Sequence, residues 1–120
     1  ANLESMIRGI RRLIIFKKEN LRIAVIIADM LDLSSDSIKI HKKLGQYISS
    51  IDFIDSVYGI GIFMIETIDS INNKSINKTH FSDKNSFVRQ FKKEIDKYDL
   101  LYLKGSRGMC LETIIKELFN

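Results

Sequence analysis

The chain contains no proline, no tryptophan and a single cysteine, Cys110. One thiol cannot close an internal disulfide, so the fold must rest on its core, and a reducing cytoplasm is the compartment that fits. Cys110 sits in an apolar stretch, which predicts a buried, inert thiol. The absence of proline, beside abundant Ile, Lys and Asn, is what an AT-rich genome produces and carries no chemistry. No apolar run approaches a membrane span and no secretory signal is visible, so no membrane insertion is expected. The first residue is Ala1 rather than Met, as expected of a chain that is processed or excised from something longer.

Familiar catalytic signatures are missing too. Gly59-Ile60-Gly61 does not extend to the GxGxxG of a dinucleotide turn, because residue 64 is Met. There is no GxxxxGK[ST] phosphate loop and no GxSxG nucleophile elbow. His80 has no second His, Cys or carboxylate at ligand spacing, so no metal site is assigned. No catalytic residue is expected within the chain, which does not read as a complete enzyme.

At 120 residues, 45% hydrophobic and 28% charged, the chain is expected to form one globular domain over residues 1–120. Its net charge of +4 suits an anionic ligand. The bases are scattered among acids, so nucleic acid is not an expected partner. The densest basic run, Arg8 to Lys18, is interrupted by apolar residues and reads as the wet face of a helix, with a phosphate or membrane surface as the other reading.

Periodicity sets the order of elements. Apolar residues at 3, 6, 7, 10, 13 and 14 make a helical stripe, with Ser5 as a candidate cap. Residues 21–27 are continuous and β-branched, the mark of a strand buried on both faces of a parallel sheet. Residues 28–35 read as a loop, and Ser34, Ser35 or Asp36 can cap the next helix. That helix, 36–49, places Ile38, His41, Leu44, Gly45 and Ile48 on one side. A second strand spans 53–58. Phe63, Met64, Thr67, Ile68 and Ile71 form another helical face, residues 72–78 a polar loop, and 79–81 a short strand. Ser82 or Asp83 caps a helix burying Phe87, Val88, Phe91 and Ile95. Residues 98–103 read as a buried strand, and 110–119 as a helix with 111, 114, 115 and 118 inward. This alternation predicts a three-layer, Rossmann-like α/β domain, its sheet mainly parallel with helices on both faces.

Loops after parallel strands converge at the sheet's carboxyl edge, where such folds bind ligands. Here they offer Asp29 and Asp32, then Gly59 and Gly61, then Lys104, Gly105, Ser106 and Arg107. Lys104 and Arg107 suit a carboxylate or phosphate, or stand as a solvated pair. Ser106 is a candidate helix cap and ligand donor, Asp29 a candidate for an amine, a metal-bound water or a loop cap. His41, on an apolar face, reads as a satisfied core-edge histidine.

These residues resemble a family. Lys104-Gly105-Ser106-Arg107-Gly108-Met109 before an apolar helix is similar to the KGSR turn in the C-terminal domain of the Mur ligases. Ala28-Asp29-Met30-Leu31-Asp32-Leu33 resembles their GDMLEL loop, with His41 at the family's Leu-His pair. Tyr58 to Gly61 resembles a strand-ending VG, and His80-Phe81-Ser82-Asp83-Lys84 an HFxDK segment. Ala1 to Met6 looks like the tail of DxYNANPxSM. The motifs follow the family's order along the whole chain. Ala28 replaces a Gly, Ile40 a Leu and Leu3 a Pro, and the Asp and Tyr of DxYNANP precede Ala1.

The resemblance implies the C-terminal domain of a three-domain, ATP- and Mg²⁺-dependent amide-bond ligase of peptidoglycan precursor synthesis. Its turn is closest to the branch that adds D-alanyl-D-alanine to UDP-N-acetylmuramoyl-tripeptide. In that branch the tripeptide carboxylate is phosphorylated and the dipeptide amine attacks the acyl phosphate. By this resemblance Gly61, Lys104, Gly105, Ser106 and Arg107 bind the dipeptide, and Asn2 and Asp29 face the nucleotide or a domain interface. No cofactor is expected on this domain alone. The alternatives are a sibling ligase adding one amino acid, whose turn would more usually read KGHE, and a flavodoxin-like, non-enzymatic binding module.

Overall fold

A computed structural model describes residues 2–31 and 34–119. Candidate Asp32 lies outside the described residues. The chain runs α1 (Leu3–Arg11), β1 (Ile23–Ala28), α2 (Ser37–Ser49), β2 (Ser56–Ile60), α3 (Met64–Asp69), β3 (Asn77–Phe81), α4 (Lys84–Phe91), β4 (Leu100–Lys104) and α5 (Glu112–Leu118). The strands form one four-stranded sheet in the order β3-β2-β1-β4. Every pairing is parallel, with Ala24 opposite Ser56, Ile23 opposite Leu100 and Ser56 opposite Asn77.

β1 is the axis of the fold because it has no polar side chain to leave exposed. Alternate residues point to opposite faces of a strand. Ile23, Val25 and Ile27 enter a core with Met6 and Ile10 of α1, Leu44 and Ile48 of α2, and Met64 and Ile68 of α3. Ala24, Ile26 and Ala28 enter a second core with Phe87 and Phe91 of α4 and Ile114 of α5. Full burial of such side chains contributes roughly 1.5–3 kcal/mol each. The expected α/β layering, with helices on both faces of a parallel sheet, is therefore what forms.

Several local expectations need correction. α1 is capped by Asn2, not Ser5: Asn2 Oδ1 accepts from the Ser5 N–H at 2.8 Å, and Ser5 Oγ accepts from the Asn2 N–H at 3.1 Å. After Arg11 the chain tightens into a 3₁₀ helix through Glu19. Three residues per turn align Ile10, Leu13 and Phe16 inward and turn Ile14 and Ile15 to solvent. Ile38 and Ile115 are about half exposed, at 51% and 48%, so neither belongs to its helix's inner face. The second strand begins at Ser56 and runs through Gly59 and Ile60. β3 begins at Asn77, inside the stretch expected to be a loop, because an edge strand tolerates the exposed Asn77 and Lys78. β4 is a half-buried edge strand, not a buried one.

In the second core, the Tyr58 hydroxyl meets Glu94 at 2.9 Å and Tyr98 at 2.7 Å, and Tyr98 meets Ser56 Oγ at 2.7 Å. Burial first, then these hydrogen bonds, push the Tyr58 phenol well above its usual range, so it stays neutral.

The starts of β1 and β4 are tied by Arg22. Its backbone N–H and its Nε donate to Asp99 Oδ2 at 2.8 and 3.1 Å, and its Nη2 to Oδ1 at 3.2 Å. The Arg22 side chain first, and then its backbone N–H, hold the Asp99 carboxyl below the usual carboxylate range. A lowered folded-state pKa stabilises the fold above the unfolded value of about 3.9 and ceases to do so as pH falls through the folded value. Asp99→Asn is therefore expected to lower the urea midpoint at pH 7, with the gap to the parent closing below about pH 4. A gap constant with pH would show that the ionised pair does not contribute.

Candidate functional site

The strand order creates a switch point. From β1 the chain passes to α2 on one face of the sheet, and from β4 it passes to α5 on the other. Connections that part in this way leave a crevice at the carboxyl ends of the two strands. The loop starting at Asp29 and the turn at Lys104–Arg107 stand on either side of it.

The two loops are fastened to each other. The Leu31 N–H donates to Ser106 Oγ at 2.8 Å, and the Ser106 N–H donates to the Asp29 carbonyl at 3.3 Å. Ser106 is buried. It makes no side-chain cap to the 3₁₀ turn that follows it, and the N-cap of α5 is Leu111, so the capping expectation gives way to a latch. Gly105 permits the approach: a Cβ there would lie 2.9 Å from the Ala28 methyl and 3.1 Å from Leu111 Cδ1.

Asp29 is 3% exposed and its carboxylate is engaged. Its oxygens accept from the Phe63 N–H at 3.1 and 3.2 Å and from the Met64 N–H at 2.8 Å, capping α3 from another strand's loop. A negative charge at a helix N-terminus, meeting otherwise unpaired donors, is stabilising. Gly61 completes this corner with a φ of +120°, which L side chains rarely adopt. Its carbonyl accepts from His80 Nε2 at 2.7 Å. His80 is thus a structural donor at the end of β3.

Lys104 and Arg107 carry the positive charge of the site. Among the described residues neither enters an ion pair. Lys104, Gly105, Ser106, Arg107, Leu111 and Glu112 surround a depression of about 230 Å³. On the α1 side, Lys104 lines a second one of about 250 Å³ with Arg8, Arg12 and Tyr102. Sequence reasoning placed Arg8 and Arg12 on a solvated face. Only the packing of α1 and the 3₁₀ helix after it brings them to the depression that Lys104 lines, and no local signal shows it. Asn2 caps α1 one turn before, and Ser5 shares that depression.

The segment at 80–84 also has a physical role. The Asp83 side chain accepts from the Ser86 N–H at 2.8 Å, capping α4 as expected. Lys84 Nζ reaches Thr113 Oγ1 at 3.2 Å and the Cys110 carbonyl at 3.4 Å, tying α4 to the start of α5. Cys110 is exposed with a φ of +50°, not buried, because the chain reverses there between a 3₁₀ turn and a helix.

The described residues contain no group of three or more His, Cys, Asp or Glu able to hold a metal ion. With the Asp29 oxygens taken up by backbone donors, this donor set does not fit Mg²⁺. No helix is long and apolar enough, among the described residues, to cross a membrane.

A parallel α/β domain with a cationic, latched turn at its switch point is the class that fold and site define. No family model matches the chain. It is 36% identical over 99 residues to the UDP-N-acetylmuramoyl-tripeptide–D-alanyl-D-alanine ligase of Bacillus subtilis (strain 168), a match covering 80% of this chain and 21% of the relative. Two crystal structures of MurF from Acinetobacter baumannii align with TM-scores of 0.82 at 19% and 20% identity, covering 98% of this chain and 26% and 25% of theirs. MurF ligase from Thermotoga maritima, in complex with ADP, aligns at 0.57 with 19% identity, covering 81% of this chain and 21% of that one. By sequence the chain is similar to part of a Mur ligase, and by fold it matches part of two others. It spans about a fifth to a quarter of the length of the proteins it matches.

Proposed function

We propose that the chain is the substrate-closing C-terminal domain of an ATP-dependent, cytoplasmic ligase that joins D-alanyl-D-alanine to UDP-N-acetylmuramoyl-tripeptide. The Lys104–Arg107 turn receives the carboxylate end of the dipeptide. Arg107 offers the planar, two-pronged donor that a carboxylate accepts best, and Lys104 adds a point charge. Gly61 and its neighbours form a second wall, and Asn2 and the Asp29 corner face the nucleotide side. ATP, Mg²⁺ and the tripeptide are held by other parts of the longer enzyme. Forming the amide requires the amine and the activated carboxyl aligned and dry, and a mobile domain closing over them supplies both conditions.

The observation that carries this reading is the position of the turn. Its two cations lie at the switch-point crevice, unpaired among the described residues, on a backbone locked to the neighbouring loop. In the full-length ligase, Arg107→Ala is expected to raise the KM for D-alanyl-D-alanine about ten- to a hundredfold while leaving that for ATP within about twofold. An unchanged dipeptide KM removes Arg107 from the site.

A further inference from the structure

His41 is fully buried, at 0% exposed, and nothing in the proposed chemistry uses it. Its Nδ1 lies 2.7 Å from the Ser37 carbonyl, which can only accept. Nδ1 therefore carries the proton, and Nε2 is left as a bare acceptor. That acceptor meets the Met30 N–H at 3.1 Å. Met30 lies beyond the end of β1, where no ladder partner remains, and is itself buried.

The next amide leads to the candidate site. The Leu31 N–H donates to Ser106 Oγ at 2.8 Å. Peptide units are planar, so only the two backbone torsions of Met30 separate these N–H directions. Fixing the first amide aims the second. The backbone of His41 is tied to α3, its carbonyl accepting from Thr67 Oγ1 at 2.7 Å, and the ring of Phe63, just before α3, lies 5.5 Å from the imidazole centroid.

We infer that His41 is a positioning residue for the Lys104–Arg107 turn, acting through the Met30 and Leu31 amides and Ser106. Its bearing on the dipeptide rests on the reading above, whereas the relay itself does not. Leucine at position 41 keeps the bulk and removes the acceptor. Glutamine restores an acceptor oxygen at similar reach.

Hydrogen exchange on this chain tests the relay. In His41→Leu the Leu31 and Ser106 amides are expected to exchange about ten- to a hundredfold faster relative to the Val57 amide in the core, with most of the protection returning in His41→Gln. If Leu31 and Ser106 change only in step with Val57, His41 is a core residue and the inference is overturned. In the full-length ligase, His41→Leu is expected to raise the dipeptide KM about tenfold at constant ATP KM, and His41→Gln to restore it. An Arg107→Ala effect on that KM without a His41→Leu effect overturns the inference. If the exchange result holds and neither variant moves the dipeptide KM, the relay stands and the assignment of the turn to the dipeptide fails.

Discussion

Gly61→Ala is expected to lower the stability of the chain by about 3 kcal/mol, a fall of roughly 10 °C in Tm for a domain of this size. Two costs combine. A non-glycine residue at a φ of +120° is strained whatever space surrounds it. The added methyl would also lie 2.5 Å from the Asp29 carboxyl carbon, well inside contact distance. That carboxylate cannot simply move aside, because the Phe63 and Met64 N–H groups hold it. Urea unfolding measures the loss. A change below about 0.5 kcal/mol, the scale of an ordinary surface substitution, would mean that this corner relaxes freely.

Asp29→Ala is expected to cost about 2–3 kcal/mol by a different route. The α3 amides lose a charged acceptor, and the Met64 N–H is left buried without a partner. Combining the two changes separates the effects. With the carboxylate gone, the methyl added at position 61 has nothing to strike, and only the backbone strain remains. The double variant should therefore be more stable than the sum of the single losses predicts, by about 1 kcal/mol. Strict additivity would show that the collision contributes nothing and that Gly61 is required for its torsion alone.

The parts of the fold legible in the sequence are those fixed by short-range apolar pattern. β1 stood out because an unbroken β-branched run is costly anywhere except between two layers of helices. The convergence of Asp29, Gly61 and Lys104–Arg107 followed from the parallel alternation, since every strand then ends at the same edge. Features set by tertiary geometry were not legible. Ser106 reads equally well as a cap or a ligand donor until the neighbouring loop's free amide is located. Cys110 sits in an apolar stretch, yet a chain reversal turns it out. Asn77 and Lys78 look like loop because an edge strand need bury neither. Arg8 and Arg12 are ordinary exposed bases in sequence and become neighbours of Lys104 only through packing.

Among the described residues β4 has a single ladder partner, β1, and the candidate turn rides on its end. A turn mounted this way is competent only while its strand is closed, so any fraying of the margin divides the apparent affinity by the closed fraction. Linkage makes the relation mutual. An anionic ligand gripping Lys104 and Arg107 would act as a clasp, holding the outermost strand to the sheet by as much free energy as the closed strand lends to its capture.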